Sequence, residues 1–126
     1  MEQPRMRISA AVLDAPDPPE LGAFYARLLN WTVFESDATW TMVRPPTGGT
    51  GLSFQLEPDY VPPVWPSAPG EQQMMSHLDI AVEDLEAGVA WAIEVGATLA
   101  EHQPQEHVRV MLDPAGHPFC LFPSQV

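Results

Sequence analysis

Lysine is missing from this chain altogether, and five arginines stand against 17 acidic residues, a formal net charge of −12. Such a charge repels nucleic-acid phosphates and anionic lipid headgroups, so neither is expected as a partner. It keeps the surface soluble, and it could also draw a cationic small ligand. Cysteine is almost missing too. Cys120 stands alone, which excludes an intrachain disulfide framework and any zinc site built from several cysteines. No apolar run approaches the roughly 20 residues that span a bilayer. The opening MEQPRMRIS lacks the apolar core of a secretory leader, so the expectation is a cytoplasmic protein. What remains is 126 residues, 45% of them hydrophobic, enough for one domain with a real core.

Residues 7–14, RISAAVLD, read as a strand. Asp17 then stands at a helix N-cap, with Pro18 at the first helical position and Glu20 where a capping box requires it. Leu21, Phe24, Tyr25, Leu28 and Leu29 follow at helical spacing, and Asn30 is a residue that tolerates a left-handed stop. Short strands are expected over 32–35 and 40–44, with a turn at Ser36 and Asp37 between them. The loop PPTGGTG separates these from a strand over 51–57. In that strand Leu52, Phe54 and Leu56 share one face, and Ser53, Gln55 and Glu57 the other. The first half is thus a β-α-β-β-β module, residues 7–57.

Residues 58–70 hold five of the 15 prolines and cannot be regular structure. We take 58–75 as a linker, but Tyr60, Val61, Val64 and Trp65 are too apolar for a free tether, so it should lie across a surface or pocket mouth.

The order then repeats over residues 76–123. In SHLDIAV, Leu78, Ile80 and Val82 alternate with His77, Asp79 and Ala81. Asp84 caps a helix along which Leu85, Val89, Ala92 and Ile93 recur, and Gly96 ends it. Strands follow over 98–101, 107–112 and 118–122, the last two joined by the turn DPAGH. Setting LNWT of the first half over VGAT of the second gives an offset of 66 residues, and Phe54 over Phe119 gives 65. This is a duplicated module within one domain, 1–126, not a solenoid. The fold class is α+β: two tandem β-α-β-β-β modules forming a curved mixed sheet, helices on the convex side, a pocket on the concave side.

DPPELGAFYARLLNW, HLDIAVEDLEAGVAWAIEVGA and DPAGHPFCLF together make the chain resemble the vicinal oxygen chelate superfamily, the glyoxalase and bleomycin-resistance fold. More narrowly, the combination resembles the glyoxalase-like domain proteins. The resemblance covers nearly the whole chain. It implies a site where a His or Glu on the first strand and a Glu or His on the last strand of each module surround a divalent ion. Two adjacent substrate oxygens chelate that ion. Carried over, the second-module positions are His77 and Cys120, and the first-module positions are Ala10 or Ala11 and Gln55. An alanine cannot ligate and an amide is a poor donor, so no metal or other cofactor is expected, although a divalent ion at His77 stays open.

The expected function is therefore binding of a small apolar or cationic metabolite or antibiotic, sequestering or detoxifying it, by a homodimer. The alternative is a metal- or His-dependent lyase, isomerase or dioxygenase of the same superfamily, and whether the chain is an enzyme stays undecided. His77 is the candidate catalytic group, since an ordinary imidazole exchanges protons near neutral pH. Gln55, Glu57, Trp65, His77, Arg109 and Cys120 are the candidate ligand-binding residues. Arg109 would anchor an anion if it reached the concave face. Cys120 reads as apolar filler rather than a nucleophile. Trp40 and Met111 can line an apolar cavity or fill the core. His117 reads as a structural turn residue, and His102 and His107 as solvent-facing.

Overall fold

The computed structural model describes all 126 residues. Each module carries its own four-stranded sheet, so the single curved sheet of the sequence reading is here two sheets of the same order. The chain divides into two compact units, 1–58 and 59–126.

In the first unit β1 (Ala10–Ala15) leads into α1 (Pro18–Leu29), followed by β2 (Thr32–Ser36), β3 (Trp40–Arg44) and β4 (Gly51–Leu56). The sheet order is β1-β4-β3-β2, with β1 parallel to β4 and the other pairs antiparallel. The local signals explain α1 well. Asp17 accepts from the Glu20 N–H at 3.2 Å, and Asn30 closes the helix at φ 57°, ψ 45°. One sheet face packs under α1: Tyr25 stacks on Phe54 with centroids 5.6 Å apart, and both rings are wholly buried. Each such ring is worth about 2 kcal/mol of apolar burial. Gly22 lets the helix approach, since a Cβ there would overlap Thr41 Cγ2.

The second unit repeats the plan with β5 (Leu78–Val82), α2 (Leu85–Glu94), β6 (Thr98–Leu99), β7 (Arg109–Leu112) and β8 (Pro118–Pro123), in the order β5-β8-β7-β6. Asp84 caps α2 by accepting from the Ala87 N–H at 3.0 Å. The helix lies on the side of Val82, where a Cβ on Gly88 would come within 2.8 Å of Val82 Cγ2. Phe119, Met111 and Leu121 fill the core of this unit.

The proline-rich segment is fastened to the second unit rather than free. Tyr60 Oη donates to the Ala115 carbonyl at 2.9 Å, Trp65 Nε1 donates to the His102 carbonyl at 3.0 Å, and Pro62 lies against Gly116. The DPAGH turn is organised by Asp113, whose buried carboxylate accepts from the N–H groups of Ala115 and His117 and faces His117 Nδ1 at 2.9 Å. That gives His117 its role in the turn. No helix is long and apolar enough to cross a membrane.

Candidate functional site

The sheet faces turned away from the helices carry the polar chemistry. In the second unit Asp79 pairs with Cys120 across the parallel β5–β8 ladder, and His77 precedes Asp79 by two residues. Because side chains alternate along extended chain, all three project to the same side. His77 Nε2 lies 2.9 Å from Asp79 Oδ1, and the three donor atoms of His77, Asp79 and Cys120 fall within 4.8 Å of one another. The His77 side chain is 34% exposed and that of Asp79 63%. Cys120 is half-buried. Burial first, then the Asp79 charge and a hydrogen bond to its carboxylate, push the Cys120 thiol above its ordinary value. The direction favours the neutral thiol over the thiolate.

The first unit has the corresponding pair. Gln55 Nε2 donates to Asp14 Oδ1 at 2.7 Å on neighbouring positions of β4 and β1. Leu13 faces Phe54 and Leu78 faces Phe119, so equivalent residues of the two modules lie 65 apart throughout these strands. Asp14 is thus the counterpart of Asp79, and Gln55 of Cys120. The counterpart of His77 is Val12, not Ala10 or Ala11. Alignment through the helices slips against the strands, because α1 has 12 residues where α2 has 10.

On the same side of the first sheet lies an open cavity of about 240 Å³, lined among others by Val12, Trp40, Met42, Arg44 and Ser53. Arg44 sits at its side with the guanidinium 4.3 Å above the centre of the Phe34 ring. Val12 is 48% exposed, a large apolar residue open to solvent in the middle of a strand.

Of the residues expected at the site, His77 and Cys120 are brought together and Gln55 is placed equivalently in the other module. Glu57 lies just beyond β4, its N–H donating to the Ala15 carbonyl. Trp65 packs at 5.8 Å against the ring of His102, on the proline-rich segment. Arg109 does not reach the Cys120 side. It pairs with Leu121, on the opposite side of the sheet, and its Nη1 donates to the carbonyls of Gln105, Glu106 and Val108. These bonds direct Nη1 to the preceding loop. Asp14 and Asp79 were missed as site residues, although the H-x-D spacing of His77 and Asp79 was there to find.

The model of the glyoxalase-like domain family matches residues 10–122. The chain belongs to that family. Proteins of known structure share its fold at low sequence identity. A glyoxalase/bleomycin resistance protein/dioxygenase family enzyme from Burkholderia phytofirmans PsJN aligns at TM-score 0.70 and 15% identity, covering 95% of this chain and 100% of that one. The antibiotic-binding protein TnmS3 from Streptomyces sp. CB03234 aligns at 0.65 and 15%, covering 98% and 100%. The trypanothione-dependent glyoxalase I of Leishmania major aligns at 0.64 and 18%, covering 94% and 87%. No curated protein matches in sequence.

By this register the positions that the superfamily resemblance marks for a metal fall at Val12, Gln55, His77 and Cys120. Val12 has no donor atom, and Gln55, whose Nε2 is held by Asp14, offers only a neutral amide oxygen, a poor metal ligand. This set does not fit the two-module metal site of the superfamily.

Proposed function

We propose that this glyoxalase-like protein binds an apolar small molecule of the metabolite or antibiotic kind on the helix-free face of its first module, sequestering or detoxifying it. The observation that carries the reading is the cavity between Val12, Trp40 and Met42: apolar, walled by an indole and a thioether, and edged by Ser53 and Arg44. Pockets of this make-up, mostly apolar with a few convergent polar groups, are the usual form of small-molecule sites. The absence of a donor at Val12 and the weak amide donor at Gln55 support binding without the usual superfamily metal, and TnmS3 is an antibiotic-binding protein with this fold. A homodimer is part of the reading, supported by the edge strand β2, which leaves Phe34 62% exposed.

Trp40 makes the reading testable. Hydrophobic and polycyclic natural products, with bleomycin as the cationic member, are titrated against the protein while indole fluorescence is followed. At least one should give saturable quenching that disappears in Trp40→Phe and is abolished by Met42→Glu, which places a charge in the cavity. A folded protein whose Trp40 responds to none of the panel overturns it.

A second reading is favoured by one contact, His77 Nε2 to Asp79 Oδ1 at 2.9 Å. A carboxylate that orients an imidazole is what a general base needs, and points to a His-dependent lyase, isomerase or dioxygenase. Turnover of any candidate substrate that survives His77→Ala unchanged removes this reading.

A further inference from the structure

We infer that the second module by itself binds a zinc-class divalent ion through His77 Nε2, Asp79 carboxylate oxygen and Cys120 Sγ. The site shares the His77 and Cys120 positions with the superfamily's and differs in composition: it recruits Asp79, uses a thiolate, and draws every protein ligand from one module, on β5 and β8 or the residue before β5.

The argument begins with register. Asp79 faces Cys120 directly across the ladder, and His77, the residue before β5, lies two residues from Asp79 with its ring on that carboxylate, so two donors are set by paired strands and the third by the residue leading into β5. Zinc bonds of about 2.0–2.3 Å place the donors of a tetrahedral site about 3.3–3.7 Å apart. The 2.9 Å between His77 and Asp79 is already close to that, and no donor atom of the three is more than 4.8 Å from another. Side-chain rotation at the exposed His77 and Asp79 closes the difference. Imidazole and thiolate together select zinc or cobalt over magnesium and calcium, which prefer oxygen. Charge also balances. Binding releases the thiol proton of Cys120 to solvent, and the resulting thiolate with the Asp79 carboxylate cancels the two positive charges of the ion. Three protein ligands leave the fourth position to water or a ligand, as in open zinc sites.

The test uses the purified full-length chain, stripped with chelator. Zinc titration by calorimetry should show one ion per chain, and cobalt(II) should give the near-ultraviolet charge-transfer absorption of a thiolate ligand. Cys120→Ser should abolish that absorption. Asp79→Asn and His77→Gln should each weaken binding by at least about 10–100-fold, the range already seen when only the supporting partners of ligands are removed. Asp79→Glu, which keeps a carboxylate, should recover part of the loss. No stoichiometric uptake overturns the inference. So does uptake unchanged by Asp79→Asn, which would place an ion elsewhere. Should Cys120→Ser fail to fold, the presence or absence of the absorption in the unaltered protein decides. The inference does not rest on ligand binding at Trp40: metal uptake and indole quenching are separate readouts, and the failure of either leaves the other standing.

Discussion

The side-chain amide of Gln55 donates to Asp14 at 2.7 Å in the first module, where the second module sets the Cys120 thiol against Asp79. The duplication has therefore kept an aspartate at the same place in both first strands and varied its neighbour across the ladder. In each module that neighbour is a neutral donor facing a carboxylate. An acid at position 55 would place a second carboxylate against Asp14.

Gln55→Glu should for this reason destabilise the protein. It replaces a hydrogen bond with two like charges directly opposite on adjacent strands, at a cost of about 1 kcal/mol. Gln55→Met, of similar length and uncharged, should lose less. Urea unfolding at neutral pH ranks the three proteins, and a Gln55→Glu midpoint equal to that of the parent contradicts the pairing.

Asp113 should prove far more sensitive. Its carboxylate is buried and accepts from two backbone N–H groups and faces the His117 ring. Asp113→Ala removes the acceptor and strands those donors, each unsatisfied group costing about 1–3 kcal/mol. A loss of about 3 kcal/mol or more is expected in thermal or urea unfolding. His117→Ala, which leaves the backbone donors on Asp113, should lose clearly less.

At Gly22 two effects of opposite sign compete. Alanine gains up to about 1 kcal/mol in helix propensity. Against that, its methyl would overlap Thr41 Cγ2 and come within 3.5 Å of the Phe54 ring. Thr41 is wholly buried and cannot swing away, so overpacking of about 1–3 kcal/mol should win. Gly22→Ala should lower the unfolding midpoint, and Gly22→Ala combined with Thr41→Ser should recover most of the loss.

What was legible in the sequence was local. Asp17, Asn30, Asp84 and Gly96 mark helix ends through interactions within a few residues, so their chemistry can be read without the fold. The face of β4 carrying Ser53 and Gln55 follows from simple alternation. What was not legible depends on partners far along the chain. The equivalence of His77 with Val12 is a matter of ladder register, which helices of unequal length obscure. Asp79 joins His77 and Cys120 only because β5 lies beside β8. Arg109 alternates as if it reached the Cys120 side, but the pairing with Leu121 and three carbonyls of the preceding loop settle its side chain elsewhere.

The turn between β2 and β3 gives the protein an acid-sensitive point. Asp37 accepts from the Thr39 N–H at 2.9 Å, from the Thr39 hydroxyl at 2.9 Å and from the Trp40 N–H at 3.0 Å. The Thr39 backbone bond first, then the Thr39 hydroxyl, hold its carboxyl below the usual aspartate range, against an opposing effect of desolvation that exceeds the further help of the Trp40 N–H. The folded state thus binds fewer protons at this group than the unfolded chain does. Its stabilising contribution is present above the unfolded value and lost as pH falls through the folded one. The substitution Asp37→Asn keeps an acceptor in the turn but removes the titrating charge. Urea midpoints from about pH 7 to about pH 3, a window spanning the ordinary aspartate value near 3.9, should fall more steeply for the parent than for Asp37→Asn. Two parallel curves would mean that the turn does not depend on the charge. The same loss of the turn should loosen Trp40, so its fluorescence reports the event directly.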